Sequence, residues 1–562
     1  MTSIKKMDYR KYRPAPTVDL PNRQWPSNVL TKAPEWVSVD LRDGNQALEI
    51  PMSLEEKIDF YHHLLKIGFK TIEIGFPAAS QTEYDFCRYL IENNLIPEDV
   101  ALQVLTQARE HIIDRTMEAI KGAPKAVIHL YNSTSTVQRD VVFRMNREEC
   151  INLAIAGTKM IKERIEKDTS GTKFAFEYSP ESYSGTEDDF AVEICDAVCD
   201  IWQPSPENKI IINLPTTVEV TMPNVYADRI EYFMRNSKWS DSISLSIHAH
   251  NDRGTGVATT ELGLLAGADR VEGTLFGNGE RTGNADIVTL AMNLFSHGID
   301  PELDFSHINE SIDVYERNTR MTVSPRHPYA GSLVYTAFSG SHQDAISKGM
   351  AAQADKRFWE VPYLPIDPAD VGRNYEAIIR INSQSGRGGI DFVLEQQYGL
   401  QVPKKILQIF SGVIKDESDR RHDELNFDEI YDLFFEQYVN IFSPIKLINY
   451  GEEMMTDTET KASVTLEVQG NTVKRSAVGN GLVAAFCTLL EKELGTSIQI
   501  TSYHQHAMTT GRESKAITYV MIKNGDGSSY IGAGVSGSIS KSSLRAVVSA
   551  VNNMLSARQP RG

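Results

Sequence analysis

The stretch WVSVDLRDG (36–44), followed by SLEEKIDFYHHLLKIG (53–68), shows the pattern that decides the fold. A short run rich in β-forming residues ends in polar residues, and a helical stretch then starts at a serine cap and ends at a glycine. The same alternation repeats between residues 36 and 300. Eight β-rich runs occur, at residues 36–44, 70–77, 101–107, 126–133, 173–180, 209–217, 244–252 and 270–279.

Strands that alternate with helices predict a parallel sheet. Eight such units in about 265 residues match the size of a (β/α)8 barrel. A doubly wound open sheet is the alternative, but it usually has fewer strands, and the first turn here lacks the phosphate-binding glycine fingerprint. We therefore predict an α/β fold built on a TIM barrel.

The remainder of the chain follows two other patterns. Residues from about 300 to 430 are mainly helical with loops, and we interpret them as a connector. The segments ASVTLEV...LEKELG (462–495) and AITYVMI...VNNML (516–555) each predict strand, turn, strand, glycine turn and helix. We expect a C-terminal α+β domain made of a β-β-α repeat. The predicted bounds are 1–33 for an N-terminal arm, 34–305 for the barrel, 306–429 for the helical connector and 430–562 for the C-terminal domain.

Composition narrows the class of protein. The chain has 562 residues, too many for one core, so more than one domain is expected. A formal net charge of −18 argues against nucleic acid as the main partner. No apolar run has the length of a membrane span, and the N-terminus MTSIKKMDYRKYRPAP (1–16) lacks the apolar region of a secretory signal. Five sparse cysteines suit a reducing compartment, so we expect a cytoplasmic protein.

The stretch LSIHAHNDRG (245–254) places two histidines, His248 and His250, on the same side of a predicted strand. They are compatible with a metal site, a proton relay or ordinary polar side chains at a strand end. In a TIM barrel, active sites lie at the C-terminal ends of the strands. The polar residues that end the eight runs are Arg42, Asp43, His129, Glu177, Ser179, Asn213, Thr217, His248, His250 and Asn278. Helix caps and turns explain the serine and asparagines better than the arginine, aspartate and histidines.

Asp43 follows the first strand, and only the eighth strand separates that strand from the seventh in a closed barrel. Asp43, His248 and His250 can therefore converge at the barrel mouth. An amide oxygen of Asn278 or Asn284, in the segment GNGERTGN (277–284), offers a fourth ligand. Such a set suits Zn²⁺, Mn²⁺, Mg²⁺ or Co²⁺ and leaves coordination positions for a substrate.

Arg42 beside Asp43 is either a surface ion-pair residue or a group that grips a carboxylate and polarises a carbonyl. A metal ion with an arginine suits a 2-oxo acid, whose carboxylate and carbonyl oxygens both bind a metal. Glu177, Glu181 and His342 are then candidates for acid–base catalysis. His342 lies beyond the barrel, which points to a lid or a neighbouring subunit.

Six motifs carry a family resemblance. They are VDLRDGNQAL (39–48), GFPAASQTEYDF (75–86), SIHAHNDRGTGVA (246–258), GNGERTGN (277–284), FSGSHQDAI (338–346) and INSQSGRGG (381–389). Together they resemble the long, leucine-regulated α-isopropylmalate synthases. The resemblance covers nearly the whole chain, and the C-terminal repeat resembles the regulatory domain of that family.

The resemblance implies a Claisen-type condensation of acetyl-CoA with 3-methyl-2-oxobutanoate, followed by thioester hydrolysis to 2-isopropylmalate and CoA. This is the first committed step of leucine biosynthesis, with leucine as the inhibitor. It also implies a divalent metal, a possible monovalent cation such as K⁺, and an obligate homodimer in which the partner subunit supplies the connector histidine and tyrosine. The implied metal ligands are Asp43, His248, His250 and Asn284. The implied substrate pocket consists of Arg42, His129, Tyr131, Ser179, Glu181, Asn213, Pro215 and Thr217, and the implied catalytic residues are Arg42, Glu181, His342 and Tyr375.

Alternatives remain open on the sequence alone. Citramalate and homocitrate synthases perform the same chemistry, and a one-methylene difference in the substrate is worth only about 1–3 kcal/mol in such a pocket. A catalytically idle leucine-binding protein is an alternative of another class, although the intact metal and arginine set argues against it. Locally, Tyr131 can also pack on its strand neighbours, and Tyr375 can pack a helix end.

Overall fold

The computed structural model describes residues 11, 17–337, 339–354, 356–375, 390, 394–395, 398–421, 425, 427–508 and 514–557. Contacts between residues divide the chain into two compact units. The first contains residues 1–335 and 366–374, and the second contains residues 336–365 and 375–562.

A closed barrel of eight parallel strands forms the centre of the first unit, which confirms the predicted fold class. Neighbours in sequence are neighbours in the barrel, and the last strand pairs with the first. The strands are β1 Glu35–Ser38, β2 Thr71–Gly75, β3 Ala101–Gln107, β4 Lys125–Ser133, β5 Lys173–Glu181, β6 Ile210–Thr216, β7 Ile243–Ala249 and β8 Arg270–Gly273.

A helix follows each strand of the barrel. The helices are α1 Leu54–Ile67, α2 Gln81–Glu92, α3 Glu110–Ile120, α4 Arg147–Lys167, α5 Asp188–Trp202, α6 Pro223–Asn236, α7 Gly256–Leu265 and α8 Ile287–Ser296, and α9 Ile308–Thr319 comes next. Helix α1 begins and ends as its sequence predicts. Ser53 and Glu56 form a reciprocal capping box at its start, and Gly68 ends it in the left-handed conformation at φ 119°.

The first β-rich run differs from its prediction. Only Glu35–Ser38 is a strand, and Asp40–Gly44 forms one turn of π-helix. In this turn the amide of Gly44 donates to the carbonyl of Val39 at 3.1 Å. Asp43 therefore lies in a turn after the strand, not at its last position. Single π-helical turns are frequent at functional sites, because they redirect side chains.

The second unit contains connector helices and two antiparallel sheets. Its helices are α10 Gly340–Gln353, α11 Lys404–Arg421, α12 Phe427–Tyr438, α13 Leu482–Leu494 and α14 Ile539–Ala557. Its strands are β9 Ile445–Met454, β10 Thr460–Val468, β11 Asn471–Gly479, β12 Ile498–Ala507, β13 Ala516–Asn524 and β14 Ser529–Ser536. We call residues 445–557 the C-terminal repeat region.

The C-terminal repeat region confirms the α+β class and the internal repeat, with one correction. Each repeat has three strands before its helix, so the unit is β-β-β-α and not β-β-α. The added strands, β9 and β12, have few buried positions and no regular alternation along their length, so the sequence pattern did not predict them. Both sheets and both helices share one apolar core. A second core joins α11 and α12 to β13 and β14.

Within the described residues, no helix is both long enough and apolar enough to cross a bilayer.

Candidate active site

A cavity of about 230 Å³ opens at the C-terminal ends of the barrel strands. It brings together residues from loops and strand ends that are far apart in sequence. Its lining consists of Arg42, Asp43, Gln46, Leu105, His129, Tyr131, Ser179, Glu181, Asn213, Pro215, Thr217, His248, His250, Glu280 and Arg281. The cavity lies where the barrel prediction places an active site.

Asp43, His248 and His250 form a buried group that can hold a metal ion. One ligand atom from each residue lies within 4.8 Å of the others. The Asp43 Oδ2 atom is 3.9 Å from His248 Nε2 and 3.7 Å from His250 Nε2. The two imidazole rings are stacked, with centroids 5.3 Å apart. The π-helical turn after β1 and the end of β7 thus present a carboxylate and two imidazoles to one point.

Asn284 supplies the amide of this group. Its Nδ2 atom donates to Asp43 Oδ2 at 2.7 Å and to the Asn278 carbonyl at 2.8 Å. These two acceptors fix the amide orientation, so Oδ1 faces His248 Nε2 at 2.8 Å. The Asn278 side chain instead donates to the Gly44 carbonyl at 3.1 Å. Of the two asparagines left open by the sequence, Asn284 is the one in contact with Asp43 and His248.

The charges at this point suit a cation. Burial raises the pKa of Asp43, but Arg42, His248 and His250 outweigh that effect and lower it to about 2. Burial and the neighbouring His248 lower the pKa of His250 to about 4. Burial opposes protonation of His248, yet its contacts with Glu272 and Asp43 raise its pKa. An ionised carboxylate, a neutral imidazole and an amide oxygen are ligands that divalent ions accept.

Arg42 is held in place on two sides. Its Nε donates to Glu73 Oε2 at 2.6 Å, and its Nη1 donates to Asp43 Oδ1 at 2.7 Å. The side chain is only 12% exposed, so it is not a surface ion pair. Burial lowers the pKa of Arg42, but Glu73 and Asp43 reverse that effect and raise it, so the guanidinium stays charged beside the cavity.

The wall of the cavity opposite β1 consists of polar side chains from β4, β5 and β6. His129 Nε2 is 2.7 Å from the Ser179 hydroxyl, and Asn213 Nδ2 donates to the same hydroxyl at 3.1 Å. Within the described residues, Asn213 Oδ1 is buried and has no hydrogen-bond partner. Tyr131 lines the cavity, and its hydroxyl accepts a hydrogen bond from Gln107 Nε2 at 2.6 Å.

Two further pocket residues lie where β6 ends. Pro215 and Thr217 both line the cavity. The Thr217 hydroxyl accepts from the amide of Ser182 at 3.0 Å, and its carbonyl accepts from Arg281 Nη2 at 2.6 Å. Arg281 also donates to Asp252 at 2.6 Å. These bonds join the loops that follow β5, β6, β7 and β8 around one opening.

The two glutamates considered for acid–base catalysis occupy different places. Glu181, the last residue of β5, lines the cavity and accepts hydrogen bonds from the hydroxyls of Ser133 and, at 3.3 Å, Ser182. Glu177 is fully buried in the barrel interior, where it pairs with Arg270 at 2.9 Å. It does not line the cavity, so its position argues against the catalytic role considered for it.

His342 and Tyr375 belong to the second unit. His342 lies on α10 and stacks on Tyr363, with ring centroids 4.1 Å apart. The Tyr375 hydroxyl is buried without a hydrogen-bond partner in the part of the chain that the structure describes, and burial raises its pKa. The motif INSQSGRGG (381–389) lies outside the described residues. The catalytic roles of His342 and Tyr375 stay predictions.

Known proteins resemble this chain over nearly its full length. The 2-isopropylmalate synthase of Acetoanaerobium sticklandii is 57% identical over 557 residues, which cover 98% of each chain. The chain belongs to the 2-isopropylmalate synthase family. The 2-isopropylmalate synthase of Desulfitobacterium hafniense is 54% identical over 94% of each chain, and that of Pseudomonas putida is 48% identical over 100% of this chain and 99% of the relative.

Three family models match consecutive parts of this 2-isopropylmalate synthase family member. An HMGL-like model matches residues 33–314. A model described as the alpha-isopropylmalate synthase, post-catalytic domain-like, matches residues 332–395, and the LeuA allosteric (dimerisation) domain matches residues 424–555. The first of them spans the barrel, and the third spans the C-terminal repeat region.

Sequence reasoning missed a layer of polar residues inside this family member's barrel. Glu73, Gln103, Arg270 and Glu272 lie on strands and are fully buried. Their signal was present, because parallel strands buried on both faces are normally continuous apolar runs, and these runs are interrupted by charges. The cavity residues Gln46, Leu105, Glu280 and Arg281 were also not singled out, although the last two lie within the motif GNGERTGN.

Proposed function

We propose that this protein condenses acetyl-CoA with 3-methyl-2-oxobutanoate and hydrolyses the thioester, which yields 2-isopropylmalate and CoA. One observation carries the proposal. A single cavity at the barrel mouth is lined by the Asp43, His248 and His250 group, by Arg42, and by the polar wall around Asn213. The names of the full-length relatives support the same activity.

The oxo acid fits this cavity in size and chemistry. A volume of about 230 Å³ is below the roughly 300–1,000 Å³ typical of sites for larger ligands. We place the oxo-acid carbonyl beside Arg42, whose guanidinium is held by Glu73 and Asp43. The remaining pocket contacts are assigned to His129, Tyr131, Ser179, Asn213, Pro215 and Thr217.

Asp43, His248, His250 and Asn284 are our proposed ligands for a divalent ion, of which Zn²⁺, Mg²⁺ and Mn²⁺ are candidates. The fit rests on the low pKa of Asp43 and on the Asn284 amide, whose oxygen faces His248 Nε2 at 2.8 Å. Two lone pairs at that separation need a proton or a metal ion between or beside them. When bound, the ion supplies a Lewis acid for the carbonyl of the oxo acid. A monovalent cation such as K⁺ is a further proposed cofactor.

The chain's own residues move the protons. We assign to Glu181 the removal of a proton from the methyl group of acetyl-CoA. The methyl carbon then forms a bond to the carbonyl carbon of the oxo acid, and His342, assisted by Tyr375, gives a proton to the oxygen that was the carbonyl. Water next splits the thioester carbon–sulfur bond, and the sulfur leaves as the thiol of CoA.

The second unit is our proposed site of assembly and control. We propose a homodimer in which the partner subunit supplies His342 and Tyr375, with leucine as an inhibitor bound in the domain from residue 430 to 562. The match to an allosteric (dimerisation) domain supports both points. We retain residues 1–33, 34–305 and 306–429 as the arm, barrel and connector. We also propose a cytoplasmic location, which the five cysteines, all unpaired and buried, support.

The experiment measures CoA release with a panel of 2-oxo acids, with and without a chelator and with and without leucine. We expect the highest kcat/KM with 3-methyl-2-oxobutanoate, loss of turnover with chelator, and inhibition by leucine. A preference for pyruvate or 2-oxoglutarate would identify a citramalate or homocitrate synthase instead. Leucine binding without any CoA release would identify an idle leucine-binding protein, and turnover that resists the chelator would remove the metal from the proposal.

A further inference from the structure

A layer of polar side chains fills the barrel just beneath the cavity. Arg270, the first residue of β8, lies at its centre and is fully buried. Its Nη1 donates to Glu177 Oε2 at 2.9 Å and to Glu272 Oε1 at 2.8 Å, and its Nη2 donates to Gln103 Oε1 at 2.5 Å. One guanidinium therefore joins two buried carboxyl groups from β5 and β8.

The two carboxyl groups have matching surroundings. Each lies on a barrel strand, is fully buried, and is the register neighbour of a histidine on the adjacent strand. Glu177 is paired in register with His129, and Glu272 is paired with His248. The two histidines differ in their proposed roles. His248 is a proposed metal ligand, and His129 is not.

Their contacts also differ. Glu272 Oε2 is 3.0 Å from His248 Nδ1 and accepts from Asn213 Nδ2 at 3.2 Å. Glu177 Oε1 is 3.3 Å from His129 Nε2 and, within the described residues, has no hydrogen bond. Glu272 therefore contacts both the metal group and the polar wall of the cavity. Glu177 lies near His129 of that wall but, within the described residues, makes no hydrogen bond to a proposed metal ligand.

The bond to Glu272 decides how His248 is presented. A carboxylate at Nδ1 favours the ring form with a proton on Nδ1, and the lone pair is then on Nε2. That Nε2 atom is the one near Asp43 and Asn284. His250 has no such support, since its buried Nδ1 lacks a hydrogen-bond partner in the described part of the chain.

We propose that Glu272 is a positioning residue, which holds His248 with Nε2 directed at the metal and holds Asn213 against the substrate pocket, while Arg270 holds the Glu272 carboxyl group in place. The inference rests on the proposed metal site and extends it. Burial and the charge of Glu272 raise the pKa of Glu177 well above its usual range.

This layer also contains a second group that can hold a metal, made of His129, Glu177 and Glu272. Arg270 already places its positive charge between the two glutamates. A guanidinium that bonds to both carboxyl groups takes the place of an ion there. We therefore expect one divalent ion per chain and not two.

The experiment compares Glu272→Gln with Glu177→Gln in the full-length protein. Metal is removed by dialysis against a chelator, and Co²⁺ is titrated in against a competing chromophoric chelator. Loss of an outer carboxylate typically costs about 10–100-fold in metal affinity, so the Kd of Glu272→Gln should rise at least about tenfold. Within the described residues Glu177 makes no hydrogen bond to a proposed metal ligand, so the Kd of Glu177→Gln should stay close to that of the wild type.

Glu272→Asp keeps the charge beside Arg270 but withdraws the carboxylate from His248, so it covers the case in which Glu272→Gln does not fold. It should lose affinity as well. The visible absorption of bound Co²⁺ and thermal unfolding are recorded for every variant, which separates a change at the metal from a loss of fold. Absence of Co²⁺ binding by the wild type would reject the proposed metal site itself.

Three results would overturn the inference while leaving the metal site intact. The first is wild-type affinity in both Glu272 variants. The second is an equal loss in Glu177→Gln, which would attribute the effect to the Arg270 layer in general. The third is two ions per wild-type chain with one lost in each variant, which would make the lower group a metal site.

Discussion

The barrel and the C-terminal repeat region bury different kinds of side chain. The barrel interior and mouth bury ionisable groups, among them Asp43, Glu73, Glu177, His248, Arg270 and Glu272. Between residues 445 and 557, the described part of the C-terminal repeat region buries no charged side chain. Its buried polar residues are Thr518, Asn524, Ser542, Ser543, Ser549 and Asn552.

The difference indicates what each region does. Buried charges are costly unless they are paired, and ion pairs in a protein interior are poor sources of stability. A region that keeps many of them is arranged for chemistry. The C-terminal repeat region gains stability from an apolar core and a few hydroxyl and amide contacts, which suits binding and assembly.

The largest effect is expected when the Asp43 carboxylate at the barrel mouth is changed, which tests whether the buried charges of the barrel are needed for chemistry. Asp43→Asn removes the charged ligand and the partner of Arg42 while it preserves the size of the side chain. We expect Co²⁺ binding and CoA release both to fall below detection, because the two imidazoles and the amide alone bind divalent ions weakly. Titration calorimetry and a CoA-release assay provide the measurements.

Asp99→Asn is the control for that variant. Asp99 also pairs with a basic residue, Lys70, at 2.5 Å, but both side chains are about 60% exposed. Surface pairs contribute little, so wild-type turnover is expected. If Asp43→Asn retained full activity, the barrel mouth would not be the reactive region.

The second test asks whether chemistry is confined to the barrel. His342→Ala should lower kcat by about 10²–10⁴, the usual contribution of general acid–base catalysis, while Co²⁺ affinity stays at the wild-type value. Loss of the metal instead would make His342 a ligand or a structural residue.

Co-expression then tests which subunit supplies His342. Chains carrying His342→Ala and chains carrying Asp43→Asn are each inactive alone. In a two-fold dimer with shared sites, half of the dimers formed are mixed, and each mixed dimer has one intact site, which gives about a quarter of wild-type turnover. Turnover that stays at background would place His342 and Asp43 of one chain in the same site.

The smallest effect is expected in the C-terminal repeat region. Gly532 on β14 faces the backbone of α14, and a Cβ atom there would lie closer than 3.0 Å to Ala550 and Ala546. Gly532→Ala should cost about 1–3 kcal/mol of stability by overpacking and should weaken leucine inhibition more than it lowers kcat. Chemical unfolding and leucine inhibition curves measure the two effects.

Gly451→Ala is the matched control, because Gly451 is also a strand glycine but has open space around it. A point change is preferable to deleting residues from 430 onward, since that deletion would split the core that joins α11 and α12 to β13 and β14. Equal losses of turnover and inhibition in Gly532→Ala would show that the two regions do not separate in function.

The barrel could be predicted from the sequence because local residue patterns indicate where each strand and helix begins and ends. Ser53 and Gly68 bound α1 as their types predict. The strand ends also point to the mouth, so Asp43, His248 and Asn213 meet as the fold requires. Their catalytic roles stay predictions.

The features that the sequence did not predict depend on strand register and on largely exposed strands. Whether Glu272 faces His248 or a neighbour is decided by the pairing of β7 with β8, which no single run reveals. The choice of Asn284 over Asn278 depends on how the loop after β8 folds back. Strands β9 and β12 were not predicted from the sequence, because largely exposed strands lack a regular alternation of apolar and polar residues.

The position of Arg270 also bears on how the barrel assembles. Arg270 begins the last strand, yet its partners Gln103 and Glu177 lie 167 and 93 residues earlier in the chain. A partly folded barrel without β8 would enclose those polar groups with no guanidinium to bond to them, at a substantial cost in free energy. Closure of the ring by β8 therefore supplies the hydrogen-bond partner of polar groups on β3 and β5, which couples the last strand of the barrel to strands formed much earlier in the chain.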